Sequence, residues 1–90
     1  MLGYSPQQLK ERLQNHPNWF KIKDKRWSID HIFPIKAFVK AGVVDPKIIN
    51  CLDNLQPMLL SENCKKNDKY NKSKFERWLK TKWQLTLTHL

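Results

Sequence analysis

The chain has 90 residues, which excludes two independent cores, since a domain of this size buries only about 60 % of the surface its unfolded chain exposes. Hydrophobic residues make up 40 %, with four Trp, four Phe and two Tyr, enough for one small core and against disorder throughout. Seventeen Lys+Arg against eight Asp+Glu give a net charge of +9, which points to an anionic polymer as partner, bound with an affinity that falls steeply as salt is added.

No apolar run approaches the roughly 18 residues of a membrane span and no basic amphipathic helix dominates, so a membrane partner is not expected. The opening MLGYSPQQLK lacks a positively charged leader followed by an apolar stretch, so a cytoplasmic setting is expected. Cys51 and Cys64 have neither a second pair nor CxxC spacing. No structural zinc and no disulfide framework is expected, and both read as partly buried free thiols.

Ser5-Pro6-Gln7-Gln8 reads as a helix start, with Ser5 as N-cap, Pro6 at the first helical position and Gln8 closing a capping box. It predicts a helix over about 6–16, ended by Pro17, with Leu9 and Leu13 facing the core and Lys10, Glu11 and Arg12 facing solvent. His16 is expected to cap carbonyls at its end. Residues 18–26 are polar and lysine-rich and read as a connecting loop anchored by Trp19, Phe20 and Ile22. Trp27 to Phe33 alternates apolar and polar and stops at Pro34, as a short strand does.

Two helical pieces follow, Lys36 to Ala41 and Pro46 to Asn50, with Gly42 as C-cap and Asp45-Pro46 as a new start. Leu55 to Met58 reads as a second strand, which Pro57 confines to an edge or an end. Ser61 is expected to cap a helix over about 62–70 that carries Asn63, Lys66 and Asn67 on one face, with Lys65 and Lys69 beside them. A last helix over about 73–83 aligns Phe75, Trp78, Leu79 and Trp83 in an apolar stripe, and the Leu/Thr tail from Gln84 to Leu90 is strand or frayed. The four tryptophans read as core rather than as stacking platforms for bases, and His89 carries no assigned role.

A strand ending in Asp30-His31, a second strand, and a helix presenting an amide and a lysine are the parts of a one-metal phosphodiesterase. Hydrolysis of a phosphodiester needs a base for water, a hard cation for the charge developing on phosphate, and positive groups to hold the backbone. Histidine suits the first role because imidazole titrates near neutrality. Carboxylate and carboxamide oxygens, as on Asp30 and Asn63, suit magnesium, which keeps several waters and takes few protein ligands. Asn67, four residues on, offers a second amide on the same helix face.

The stretch Trp27-Ser28-Ile29-Asp30-His31-Ile32-Phe33-Pro34-Ile35, then Asn54-Leu55-Gln56-Pro57-Met58, then Glu62-Asn63-Cys64-Lys65-Lys66-Asn67 resembles the HNH endonucleases. The likeness covers about residues 27–70, and Leu2-Gly3-Tyr4-Ser5 is similar to the lead-in of phage-type members, which makes a phage or bacterial context the expected one. It implies an α+β fold with a small ββα-metal core, a two-stranded antiparallel hairpin plus helix, flanked by the N- and C-terminal helices in a single domain over residues 1–90. The resemblance further implies His31 as general base, Asp30 as metal ligand, and Asn54 as the residue that ties the loop and orients His31. The third motif position, histidine in the family name, is Asn63 here, as in the sub-group where asparagine is the second ligand. Lys66 matches the lysine expected to touch phosphate, and Lys65 and Lys69 are expected to assist.

The expected activity is metal-dependent cleavage of DNA with one divalent cation, magnesium or else manganese. The competing expectation is a basic nucleic-acid-binding module of the same fold that does not cut; a nuclease toxin would share the chemistry. So small a domain has little surface for reading sequence, which leaves a homodimer, a partner or a larger parent chain as the source of specificity. One geometric demand follows from the strand itself. Neighbours on a regular strand point to opposite faces, so a twist or bulge is required if Asp30 and His31 are to address one ion.

Overall fold

The computed structural model describes residues 3–83, so the Gln84 to Leu90 tail lies outside the described residues. The first helix, α1 (Pro6–Gln14), starts as its residue types dictate: Gln8 N donates to Ser5 Oγ at 3.2 Å, and Ser5 N donates to the Gln8 side chain at 2.8 Å. Leu13 is buried on its inner face. Arg12 departs from the expected solvent face. Its Nε donates to Leu55 O at 3.2 Å, which bolts α1 to the start of the second strand. The stretch expected to be a loop contains a one-turn helix, α2 (Trp19–Ile22). Its anchors are Ile22, which is buried, and Trp19, which packs edge-on to Trp27 with ring centroids 5.1 Å apart, whereas Phe20 projects into solvent at 78 % exposure.

Strands β1 (Trp27–His31) and β2 (Leu55–Leu59) pair antiparallel in the register Trp27↔Leu59, Ser28↔Met58, Ile29↔Pro57, Asp30↔Gln56 and His31↔Leu55. In a sheet of two strands both are edges, so Pro57 finds the kind of position its missing N–H requires. Burial inverts the usual reading of the alternation: Asp30 is 4 % exposed while its neighbour Ile29 is 42 % exposed. The sheet therefore keeps a carboxylate inside.

Residues 32–54 make the excursion between the strands. Helix α3 (Ile35–Lys40) ends in a Schellman motif, with Val43 N on Phe38 O at 2.8 Å, Gly42 N on Val39 O at 3.0 Å, and Gly42 at φ +78°. Helix α4 (Pro46–Ile49) is capped by Asp45, whose side chain accepts from Lys47 N. After a 3-10 turn over Leu52–Asn54 and β2, helix α5 (Leu60–Lys66) begins before Ser61 and ends well short of Tyr70. Leu59 is its N-cap, so Ser61 does not cap it, and Asn67 at φ +50° leads the chain out of it. Asn71 caps the last helix, α6 (Lys72–Trp83), through Lys74 N at 2.9 Å.

The main core is built by the excursion and α6. Ala37, Phe38, Ala41 and Ile49 bury against Phe75 and Leu79, and Phe33, Tyr70, Trp78 and Trp83 close over them. The Phe38 ring meets Phe75 edge-on at 4.9 Å and Trp78 at 6.0 Å, so one side chain holds α3 to α6 with roughly 2–3 kcal/mol of burial. The result is a small α+β domain with a two-stranded antiparallel sheet and several helices. No helix among the described residues is long and apolar enough to cross a membrane.

His16 does not cap carbonyls. Its Nδ1 accepts from Asn18 N at 3.1 Å and so requires a deprotonated nitrogen. Burial first, and the neighbouring Arg12 charge second, lower its pKa from the ordinary 6.5. A lowered folded value means that stability from this group is complete above the unfolded pKa and is lost as pH falls through the folded one. Thermal melts between about pH 7.5 and 5 should therefore show wild type losing more stability on acidification than His16→Gln; equal losses would contradict the assignment.

Candidate active site

The end of β1 and the adjoining face of α5 enclose a cleft of about 220 Å³ lined by Asp30, His31, Asn63, Asn67 and Asp68, with Ile29, Pro34, Ile35 and Lys36 at its sides. Asp30, His31 and Asn63, expected from sequence to act together, thus share one cavity. Asn54, Lys65, Lys66 and Lys69 do not line it.

Asp30 is held through both oxygens. Gln56, its cross-strand partner, donates from Nε2 to Oδ2 at 2.8 Å, and Lys66 Nζ approaches Oδ1 at 3.2 Å. The Lys66 ammonium also donates to His31 O at 2.8 Å, so α5 is clamped across the end of β1 by one side chain. Asn63 Nδ2 donates to Ser28 Oγ at 2.8 Å, which orients the carboxamide and leaves its oxygen as the group to offer a cation. Lys65 and Lys69 are exposed, Lys65 on α5 and Lys69 in the turn after it.

His31 points to the opposite side of the strand from Asp30 and is held from the excursion: its Nε2 lies 2.7 Å from Asn50 Oδ1. An amide oxygen only accepts, so Nε2 carries a proton, and in the neutral ring the lone pair is then on Nδ1. The five strand pairs run without interruption through His31, so β1 has no bulge. Of the twist or bulge expected from sequence, the bulge is absent. The cleft lies at the end of the strand, where side chains from both faces reach it.

Asn54 is fully buried, with 0 % exposure, and every polar atom of its side chain is used. Its Oδ1 accepts from Phe33 N at 2.8 Å, and its Nδ2 donates to Phe33 O at 3.0 Å and Ile49 O at 2.8 Å. Its own carbonyl accepts from Ile32 N at 2.8 Å. The residues fixed in this way directly follow His31 and directly precede Asn50, so Asn54 sets the distance across which the His31–Asn50 bond forms.

Asn50, Gln56 and Ser28 were not legible as site residues. Only Gln56 carried a signal, since a carboxamide directly across an antiparallel pair from Asp30 is its natural partner once the register is known. The thiols lie elsewhere. Cys64 is exposed, against expectation, while Cys51 is half-buried and its pKa is pushed up by that burial.

Asp30 and Asn63 present hard oxygen donors, the kind magnesium takes while keeping most of its waters. The fit is supported by Lys66: a carboxylate only 4 % exposed already draws a positive charge to its oxygen. Among the described residues no three His, Cys, Asp or Glu side chains gather as a metal cage, and the carboxylates that line the cleft are Asp30 and Asp68. Compared with known proteins, the chain matches no family model, no curated protein and no solved structure.

Two outcomes are expected. Asn54→Ala leaves Phe33 N, Phe33 O and Ile49 O without the partners a fully buried side chain supplies, so urea unfolding should show a loss of about 3 kcal/mol or more. Asn50→Ala releases the imidazole, and ¹⁵N NMR at about pH 8, where free imidazole is neutral, should show His31 passing from one dominant Nε2–H tautomer to a mixture. Unchanged ¹⁵N shifts would remove Asn50 from the site.

Proposed function

We propose that the chain is a metal-dependent DNA endonuclease of the HNH type with a ββα-metal core. The observation that carries this reading is the meeting, in one cleft, of an imidazole hydrogen-bonded to Asn50 with two oxygen donors, on a chain of net charge +9. His31 Nδ1 takes a proton from water, and the Asn50 bond holds the ring so that its lone pair is presented in one direction. Asp30 and Asn63 would hold a divalent cation, magnesium first and manganese second. When bound, it supplies Lewis-acid stabilisation of charge developing on the phosphate and the departing 3′-oxygen.

Asn54 keeps His31 and Asn50 at hydrogen-bonding distance without touching substrate. Exposed Lys65 and Lys69 attract the phosphate backbone, and sequence preference falls to another surface or another chain. The second reading, a binding module that does not cut, is favoured by one observation. Asp30 already has a counter-charge in Lys66.

Supercoiled plasmid incubated with the protein and magnesium should be nicked, leaving 5′-phosphate and 3′-hydroxyl ends, and EDTA should abolish the nicking. His31→Ala should slow it by roughly 10²-fold or more, the usual contribution of a positioned base. Equal cleavage by His31→Ala, or cleavage that survives EDTA, rejects the nuclease; salt-sensitive DNA binding with no cleavage under any divalent metal selects the binding module.

A further inference from the structure

Two features of Lys66 do not fit a lysine kept for phosphate. Its side chain is only 19 % exposed, and its ammonium already meets two oxygens of the protein, Asp30 Oδ1 and His31 O. At Asp30, Gln56 supplies a neutral donor to the other oxygen, so the charge of a nearly buried carboxylate is balanced by Lys66 alone among its hydrogen-bond partners. A buried ion whose partner is removed is strongly destabilised, which explains why the ammonium is drawn inward. The lysines on either side behave differently: Lys65 and Lys69 are exposed, and α5 ends at Lys66 itself.

We propose that Lys66 is the resident counter-ion of Asp30, a placeholder that a divalent cation must displace, and not a standing phosphate contact. The inference rests on the metal role of Asp30 and Asn63 proposed above. An ammonium and a dication cannot share one carboxylate oxygen without repulsion, and the repulsion is strong at a carboxylate only 4 % exposed. The flexible four-carbon stem lets Lys66 give way without moving the helix that carries it. Cation affinity is therefore set by competition within the chain, and the carboxylate is never left uncompensated between binding events.

Magnesium alone is the probe, titrated calorimetrically and by thermal melting into wild type, Lys66→Met and Lys66→Arg. Lys66→Met should melt below wild type without metal, bind magnesium roughly tenfold or more tightly, and gain more in Tm from the same magnesium concentration, while Lys66→Arg should behave like wild type. Magnesium affinity equal to or weaker than wild type in Lys66→Met overturns the proposal. If Lys66→Met does not fold, the wild-type Lys66 Nζ resonance decides: its protons should exchange slowly without metal and rapidly at saturating magnesium, and protection that persists overturns the proposal.

A phosphate contact would show itself instead as a salt slope of DNA binding reduced by about one in Lys66→Met, with magnesium affinity unchanged. Plasmid nicking by wild type tests the nuclease reading separately. Competition at Asp30 can hold in a protein that does not cut, and cutting can occur with Lys66 elsewhere.

Discussion

The carboxamide of Asn54 is the constraint on which the rest of the structure depends. It is shut off from solvent and both of its polar atoms are engaged: one oxygen and one nitrogen join Phe33 to Ile49 at the point where the excursion leaves β1 and returns toward β2. Phe33 is held by its backbone on Asn54 and by its ring against Phe75 and Trp78, so the same residue links the polar tie to the aromatic core. A small domain with a two-stranded sheet has little else to fix the angle between a strand end and a loop. Here a fully satisfied buried amide does so, where a half-satisfied one would be a liability.

From that tie follows a division of labour along β1. Because successive side chains alternate, Asp30 faces α5 and the positive charge of Lys66, while His31 faces the excursion and the neutral Asn50. The two adjacent residues inhabit different electrostatic surroundings while opening on one cavity. The pairing register runs unbroken through both residues, so adjacent side chains on opposite sides of the strand border one cavity. The geometric objection to an Asp-His pair on a strand turns into the means of giving the two side chains separate surroundings.

What the sequence made legible was whatever depended on local chemistry. The capping box at Ser5 and Gln8, the Gly42 stop and the Phe75/Leu79 stripe are each decided within a few residues, and each is present in the structure. Asp30, His31 and Asn63 were legible as a motif. The rest required knowing what comes together from far apart. Arg12 turns inward because Leu55 O lies over α1, a contact no local pattern announces. Along β1 Ile29 is exposed and Asp30 buried, which reverses the rule that apolar residues of a strand face inward, while Leu55 and Pro57 on β2 obey it. Asn50 sits nineteen positions from His31, so its meeting with the imidazole is a product of how the excursion packs.

That excursion has a consequence for how the molecule comes into being. Residues 32–54 must be gathered before β1 can meet β2, and closing a loop of that length costs entropy that strand pairing alone repays poorly. The apolar side chains that gather it, Phe38 above all, find their partners on Phe75 and Leu79. The cleft at the strand end takes no side chain from α6, yet the excursion that borders it is held by the core that α6 completes. The Asn50 side chain reaches His31 from that same excursion, so the far end of the chain and the surroundings of the imidazole are linked through Phe38, Phe75 and Leu79.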